Sequence, residues 1–173
     1  MRSYIERAKD FITEISPFIR DWTDLFLVEC DVGAFNHQKD RKVIMRHGLS
    51  RIALITSDYV VKYDFDPFEV ECIGGCEAEV ELYKHAVEDG FAYLFAEITH
   101  YNYEGKDFYI MPRVRGIGTG DCNGYHLMSV KEKRWCEKQN LEDLHCGNYG
   151  FRNGQICIVD YAYRTDYDEI EEE

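Results

Sequence analysis

Apolar residues in the first thirty positions recur at helical spacing. Tyr4, Ile5, Ala8, Phe11, Ile12 and Ile15 fall on one face of a helix, and Ser16-Pro17 closes that run. Pro17 suits the first turn of a second helix, whose apolar face would carry Phe18, Ile19, Trp22, Leu25 and Phe26. The period then shortens. RKVIMRHGLSRIALITSDYVVKYDF, Arg41 to Phe65, holds β-branched runs broken by Gly48 and by Thr56-Ser57-Asp58, which predicts three antiparallel strands joined by tight turns. From about Gly75 to Val87 the spacing of Cys76, Val80, Tyr83 and Val87 is helical again, and EITHYNY and DFYIMPRV flank the turn EGK as two more strands. A later helix is expected with Ser129 and Glu132 as a capping box and Trp135 as its apolar anchor. Arg152-Asn153-Gly154-Gln155 is a two-residue hairpin signal that makes ICIVD a strand.

Composition narrows the class. At 173 residues, 45% hydrophobic and 14% aromatic, the chain can bury a real core and is expected to be one domain. No apolar run approaches the ~20 residues a membrane span needs, and MRSYIERAKDF reads as an amphipathic start, not a signal peptide. A cytoplasmic protein is expected, with no membrane partner. Seven cysteines, an odd number, fit reduced thiols; Cys72 and Cys76 in CIGGC lack the second cluster a zinc knuckle requires. The net charge of −13 argues against nucleic acid as the main partner, because phosphates are repelled. Much of the excess lies in DYDEIEEE, Asp166 to Glu173, either a solvated terminus or an acidic handle for a basic partner.

The chemistry concentrates in LEDLHCGNYGFRNGQICIVDYAY, Leu141 to Tyr163. Asp143 and Asn148 stand five residues apart, and Asp160 closes an apolar run. Phosphoryl transfer uses such a set: one carboxylate faces the hydroxyl nucleophile, while an amide carbonyl and a second carboxylate hold magnesium against the phosphates. Hard oxygen ligands suit Mg²⁺. The segment resembles the D-L-H-x-G-N catalytic loop of aminoglycoside-phosphotransferase-type kinases, followed by an aspartate at the D-F-G position, and is similar to short kinase-like proteins of bacteriophages.

That resemblance implies an α+β, protein kinase-like fold. Two N-terminal helices (1–38) would precede a five-stranded antiparallel N-lobe with its C-helix (39–115) and a minimal, truncated C-lobe (116–173). Lys62 in YVVKYD takes the place of the third-strand lysine that aligns the α- and β-phosphates, although alone it could be a solubility lysine. Its carboxylate partner would come from the following helix. Glu79, on the Val80-Tyr83 side, is preferred over Glu77 and Glu81, since only one of the three can face the lysine well. IMPRVRG resembles a hinge in which Met111 is the gatekeeper, the Pro112 carbonyl accepts from adenine and the Val114 N–H donates to it. Val60 would cover the ring. Asp143 would take the acceptor's proton, Asn148 and Asp160 would bind metal, and His145 would support the loop.

Two departures stand out. The phosphate-covering loop offers Gly48 as its single glycine in RHGLSR, so few backbone N–H groups converge on phosphate. Leu141 replaces the usual histidine two residues before Asp143. Cys146 beside His145 lacks an oriented third group and is not a promising thiol nucleophile. Two functions follow. One is an ATP- and Mg²⁺-dependent phosphotransferase acting on a hydroxyl of a protein or small molecule. The other is a catalytically silent, acidic kinase-fold protein that binds and modulates a host or partner protein. The N-terminal helices are expected to pack on the lobes, or else to form a homodimer contact.

Overall fold

The computed structural model describes residues 2–66, 75–116, 124–141, 144 and 146–160. Helix α1, Tyr4–Ile15, opens with a reciprocal cap: Ser3 Oγ accepts from the Glu6 N–H and the Glu6 carboxylate accepts from the Ser3 N–H. It buries Ala8, Phe11, Ile12 and Ile15, the stripe its spacing predicts. The second helix lies elsewhere than expected. Ser16–Phe18 make a single 3-10 turn and Ile19 is extended; α2 runs from Leu25 to Lys39, begun by Asp24, whose carboxylate accepts from the Leu27 N–H. A proline suits a 3-10 turn as well as a helix start, and an aspartate N-cap is the stronger nucleation signal. The apolar residues between therefore share no face: Ile19 is buried, Trp22 half-buried, and Phe26 is 71% exposed.

Strands β1 (Ile44–His47), β2 (Arg51–Ile55), β3 (Tyr59–Asp64), β4 (Thr99–Tyr103) and β5 (Lys106–Pro112) form one antiparallel sheet, ordered β1-β2-β3-β5-β4. Helix α3, Cys76–Glu88, connects β3 to β4. A second, three-stranded antiparallel sheet joins β6 (Arg115–Gly116), β7 (Tyr149–Arg152) and β8 (Gln155–Ile158), and α4 spans Val130–Lys138. The described residues thus form a mixed fold of helices and antiparallel sheet, with four α-helices. Ser129 and Glu132 cap α4 reciprocally, and its Trp135 is buried, stacked on Phe91 and donating to Asp89 Oδ2 at 2.8 Å. Asn153 and Gly154 have φ of 53° and 81°, the left-handed pair a tight hairpin demands.

The large sheet is a wall between two cores. Ile52, Leu54, Val61, Tyr63, Phe108 and Ile110 face α1 and α2, while Tyr109 and Met111 face α3, α4 and the small sheet. Strand alternation produces this, since successive side chains leave opposite faces. The N-terminal helices pack directly on that outer face, with α1 in contact with β3, β4 and β5. Each large side chain buried there contributes about 1.5–3 kcal/mol relative to exposure. Among the described residues no helix is long and apolar enough to cross a membrane.

Candidate functional site

Alternation along β3 also sets the site. Val61 and Tyr63 enter the outer core, so Lys62 leaves the opposite face. Helix α3 is pinned to the end of the same strand, because the Asp64 carboxylate accepts from the Cys76 N–H with both oxygens, each at 3.1 Å. That anchor holds Glu79, one turn into the helix, over Lys62. The Lys62 ammonium donates to Glu79 Oε1 at 2.9 Å and Oε2 at 3.0 Å, with Glu79 fully buried. Glu77 instead accepts from the Tyr109 hydroxyl at 3.3 Å, and Glu81 is exposed.

The small sheet delivers the opposite wall. The Ala96 N–H donates to the Ile158 carbonyl at 2.8 Å, which docks β8 against the segment between α3 and β4. The Val159 N–H donates to the Asn148 carbonyl at 2.8 Å, so Asn148 and Asp160 are held together as neighbours in space. Lys62 Nζ also donates to the Val159 carbonyl at 2.9 Å. The result is a cavity of about 390 Å³ whose lining includes Gly48, Arg51, Lys62, Asn148 and Asp160. Other cavities lie between α1 and the β2–β3 turn (about 290 Å³) and between α2 and β1 (about 460 Å³), but neither is lined by a buried ion pair.

Arg51 is a residue that sequence reasoning passed over. Its Nη1 lies 3.1 Å from Glu79 Oε1 and 2.9 Å from Asp160 Oδ1, bridging the helix and the small sheet. A charge opening a strand reads as a solvent-facing residue, which is why it drew no notice. The available signal was register: Ala53 pairs with Lys62, so Arg51, two residues earlier, shares the lysine's face.

Two cations and two carboxylates therefore set one another's charge. Burial pushes the Asp160 carboxyl up, but Lys62 and Arg51 outweigh it and hold the group below the ordinary carboxylate range. Burial pulls the Lys62 ammonium down, and Glu79 with Asp160 reverses that and raises it. Glu79 is raised, by its complete burial first and by Asp160 second, against the pull of Lys62 and Arg51.

Of the other sequence candidates, Gly48 sits in the β1–β2 turn on the cavity wall, where an added Cβ would meet nothing within 4 Å, so the turn itself does not demand glycine. Val60 is half-buried and pairs with Met111 across β3 and β5, two residues before Lys62. Met111 and Pro112 are buried and Val114 packs on the inner core; these residues and Val60 lie outside the cavity lining. Asp143 and His145 lie outside the described residues, as does Cys72. Among the described residues no group of three or more His, Cys, Asp or Glu is placed to hold a metal, and the oxygen donors on the cavity wall include Asp160 and the Asn148 amide.

No protein-family model matches the chain, and no curated protein does. Among solved structures the chain is similar to a Legionella pneumophila kinase, Lpg2603, bound to IP6, at 15% identity and a TM-score of 0.46, covering 78% of this chain and 52% of that one. The chain thus spans about half the length of that kinase.

Proposed function

We propose that the protein is an ATP- and Mg²⁺-dependent phosphotransferase that transfers phosphate to a hydroxyl of a small molecule or protein. The observation that carries this reading is the buried Lys62–Glu79 pair facing Asn148 and Asp160 across one cleft. A lysine fixed by a glutamate is a preorganised partner for phosphate oxygens, with no reorganisation left to do when the ligand arrives. The Asn148 amide and Asp160 carboxylate are hard oxygen donors that fit Mg²⁺, and the ion, when bound, would neutralise charge on the phosphates. Val60, Met111, Pro112 and Val114 are the candidates for the adenine side, with Gly48 over the phosphates. Asp143, the proposed acceptor of the substrate's proton, is assigned from the sequence motif alone.

A second reading has its own support. Asp160 is already engaged by Arg51, and the turn above the cavity contains a single glycine, features that suit a silent kinase-fold protein that binds a partner.

Melting the protein with ATP, with Mg²⁺, and with both decides between them. Binding to the folded state alone stabilises by about 2.7 kcal/mol at a hundredfold excess over Kd, so the pair of ligands should raise the melting temperature where neither does alone. No shift at millimolar ATP and Mg²⁺ removes the enzyme reading. If the shift occurs, Asp143→Asn should keep it and lose phosphate transfer.

A further inference from the structure

Arg51 is a third partner in a pairing that Lys62 and Glu79 already complete. It opens β2 directly after the single-glycine turn, and its side chain is only 18% exposed. Its backbone is fixed: the Gly48 N–H donates to the Arg51 carbonyl at 2.9 Å, and the Ser50 carbonyl accepts from Phe65 and Asp66 N–H groups at 2.9 and 3.4 Å. From there one guanidinium nitrogen reaches both carboxylates of the cleft.

Counted as ionised groups, Arg51, Lys62, Glu79 and Asp160 sum to zero. A divalent cation arriving alone at Asp160 would meet two positive charges in a partly desolvated site, where such repulsion is poorly screened. One of them must leave. Lys62 is the deeper, tied to Glu79 and to the Val159 carbonyl as well. Arg51 stands beside Gly48 at the turn and is held by carboxylates alone among its described side-chain partners. A polyphosphate changes the balance: it brings negative charge and offers the guanidinium the bidentate geometry it favours. That partner also answers a deficit in the chain, whose turn supplies few backbone N–H groups for phosphate.

We propose that Arg51 holds Asp160 in the place of a divalent cation and, when a polyphosphate enters with its metal, moves onto the phosphate oxygens. Metal and phosphate are then taken together, and neither alone. The identity of the ligand rests on the phosphotransferase reading; the holding of Asp160 by Arg51 does not.

The test uses the full chain and Arg51→Gln, with Mn²⁺ as the metal probe read by the loss of its free-ion spin resonance signal. Mn²⁺ alone should bind Arg51→Gln at least tenfold more tightly than the parent. Calorimetry should show ATP with Mg²⁺ binding the same variant at least tenfold more weakly. If Arg51→Gln does not melt cooperatively, Arg51→Met replaces it with the same expected directions, because its unbranched side chain fills much of the same space and carries no charge. Equal Mn²⁺ affinity in variant and parent overturns the cation-holding role, and undiminished ATP–Mg²⁺ affinity in the variant overturns the phosphate role. A parent that ignores ATP–Mg²⁺ while its variant gains Mn²⁺ overturns the phosphotransferase reading and supports the cation-holding role.

Discussion

At the scale of single residues, the energetic hinge of the cleft is Glu79. It is fully buried and accepts from both Lys62 and Arg51. Removing one member of a buried ionic set leaves the others uncompensated, which costs about 3–5 kcal/mol. Glu79→Gln should therefore destabilise by about 3 kcal/mol, read from denaturant melts, and adding Arg51→Gln should cost less than the two single losses summed, because the second change removes a stranded charge. Strict additivity would show that the four groups do not act as a unit. A second buried carboxylate offers a pH readout away from the cleft. Burial pushes the Asp31 carboxyl up, but the Arg20 side chain at 2.9 Å and the Arg20 backbone N–H at 3.0 Å hold it below its ordinary value. A depressed carboxyl stabilises the fold fully above about pH 4, its unfolded value, and loses that contribution as pH falls through the folded one. The stability gap between the parent and Asp31→Asn should accordingly be widest near neutrality and close below about pH 4. A gap that stays constant to pH 2 would remove Arg20–Asp31 as a pH-dependent contact.

At the scale of elements, legibility followed periodicity. Strands β2, β3 and β5 were legible as β-branched and aromatic runs whose alternate residues, Ile52 and Leu54, Val61 and Tyr63, Phe108 and Ile110, all enter the outer core, and the cap of α4 was written in Ser129-x-x-Glu132. Helix α2 was missed for the converse reason. Its buried residues, Val28, Asp31, Val32 and Phe35, include a charge that reads as surface, while Phe26 looks like core and is exposed. Pairing across space was equally invisible: nothing local to Arg51 announces two carboxylates from distant segments. The displaced helix also revises the energetics of Trp22. The ring is half-buried between elements, with edge-on contacts to Tyr63 at 4.9 Å and Phe108 at 5.2 Å between centroids. Trp22→Ala should cost about 2 kcal/mol, below the 3–5 typical of a fully buried ring. A loss under 0.5 kcal/mol in a urea titration would mean the ring only rests on the sheet.

At the scale of the molecule, β3 is bonded to a strand on either side, and its side chains divide between the outer core and the ionic cluster. Such a strand has no route to solvent short of the whole sheet opening, whereas β1 lies on an edge with much of its surface exposed. Amide hydrogen exchange should then be slowest at Val61 and Lys62 and orders of magnitude faster along β1; equal rates would show that the sheet opens as one piece. The two cations of the cleft inherit different clocks. Lys62 rides on the strand that exchanges last and is tied to Glu79 and the Val159 carbonyl, while Arg51 opens β2 beside the turn and its side chain can swing from a backbone that stays paired. The cleft can therefore exchange one of its positive charges on the timescale of a local fluctuation and still keep the other in register.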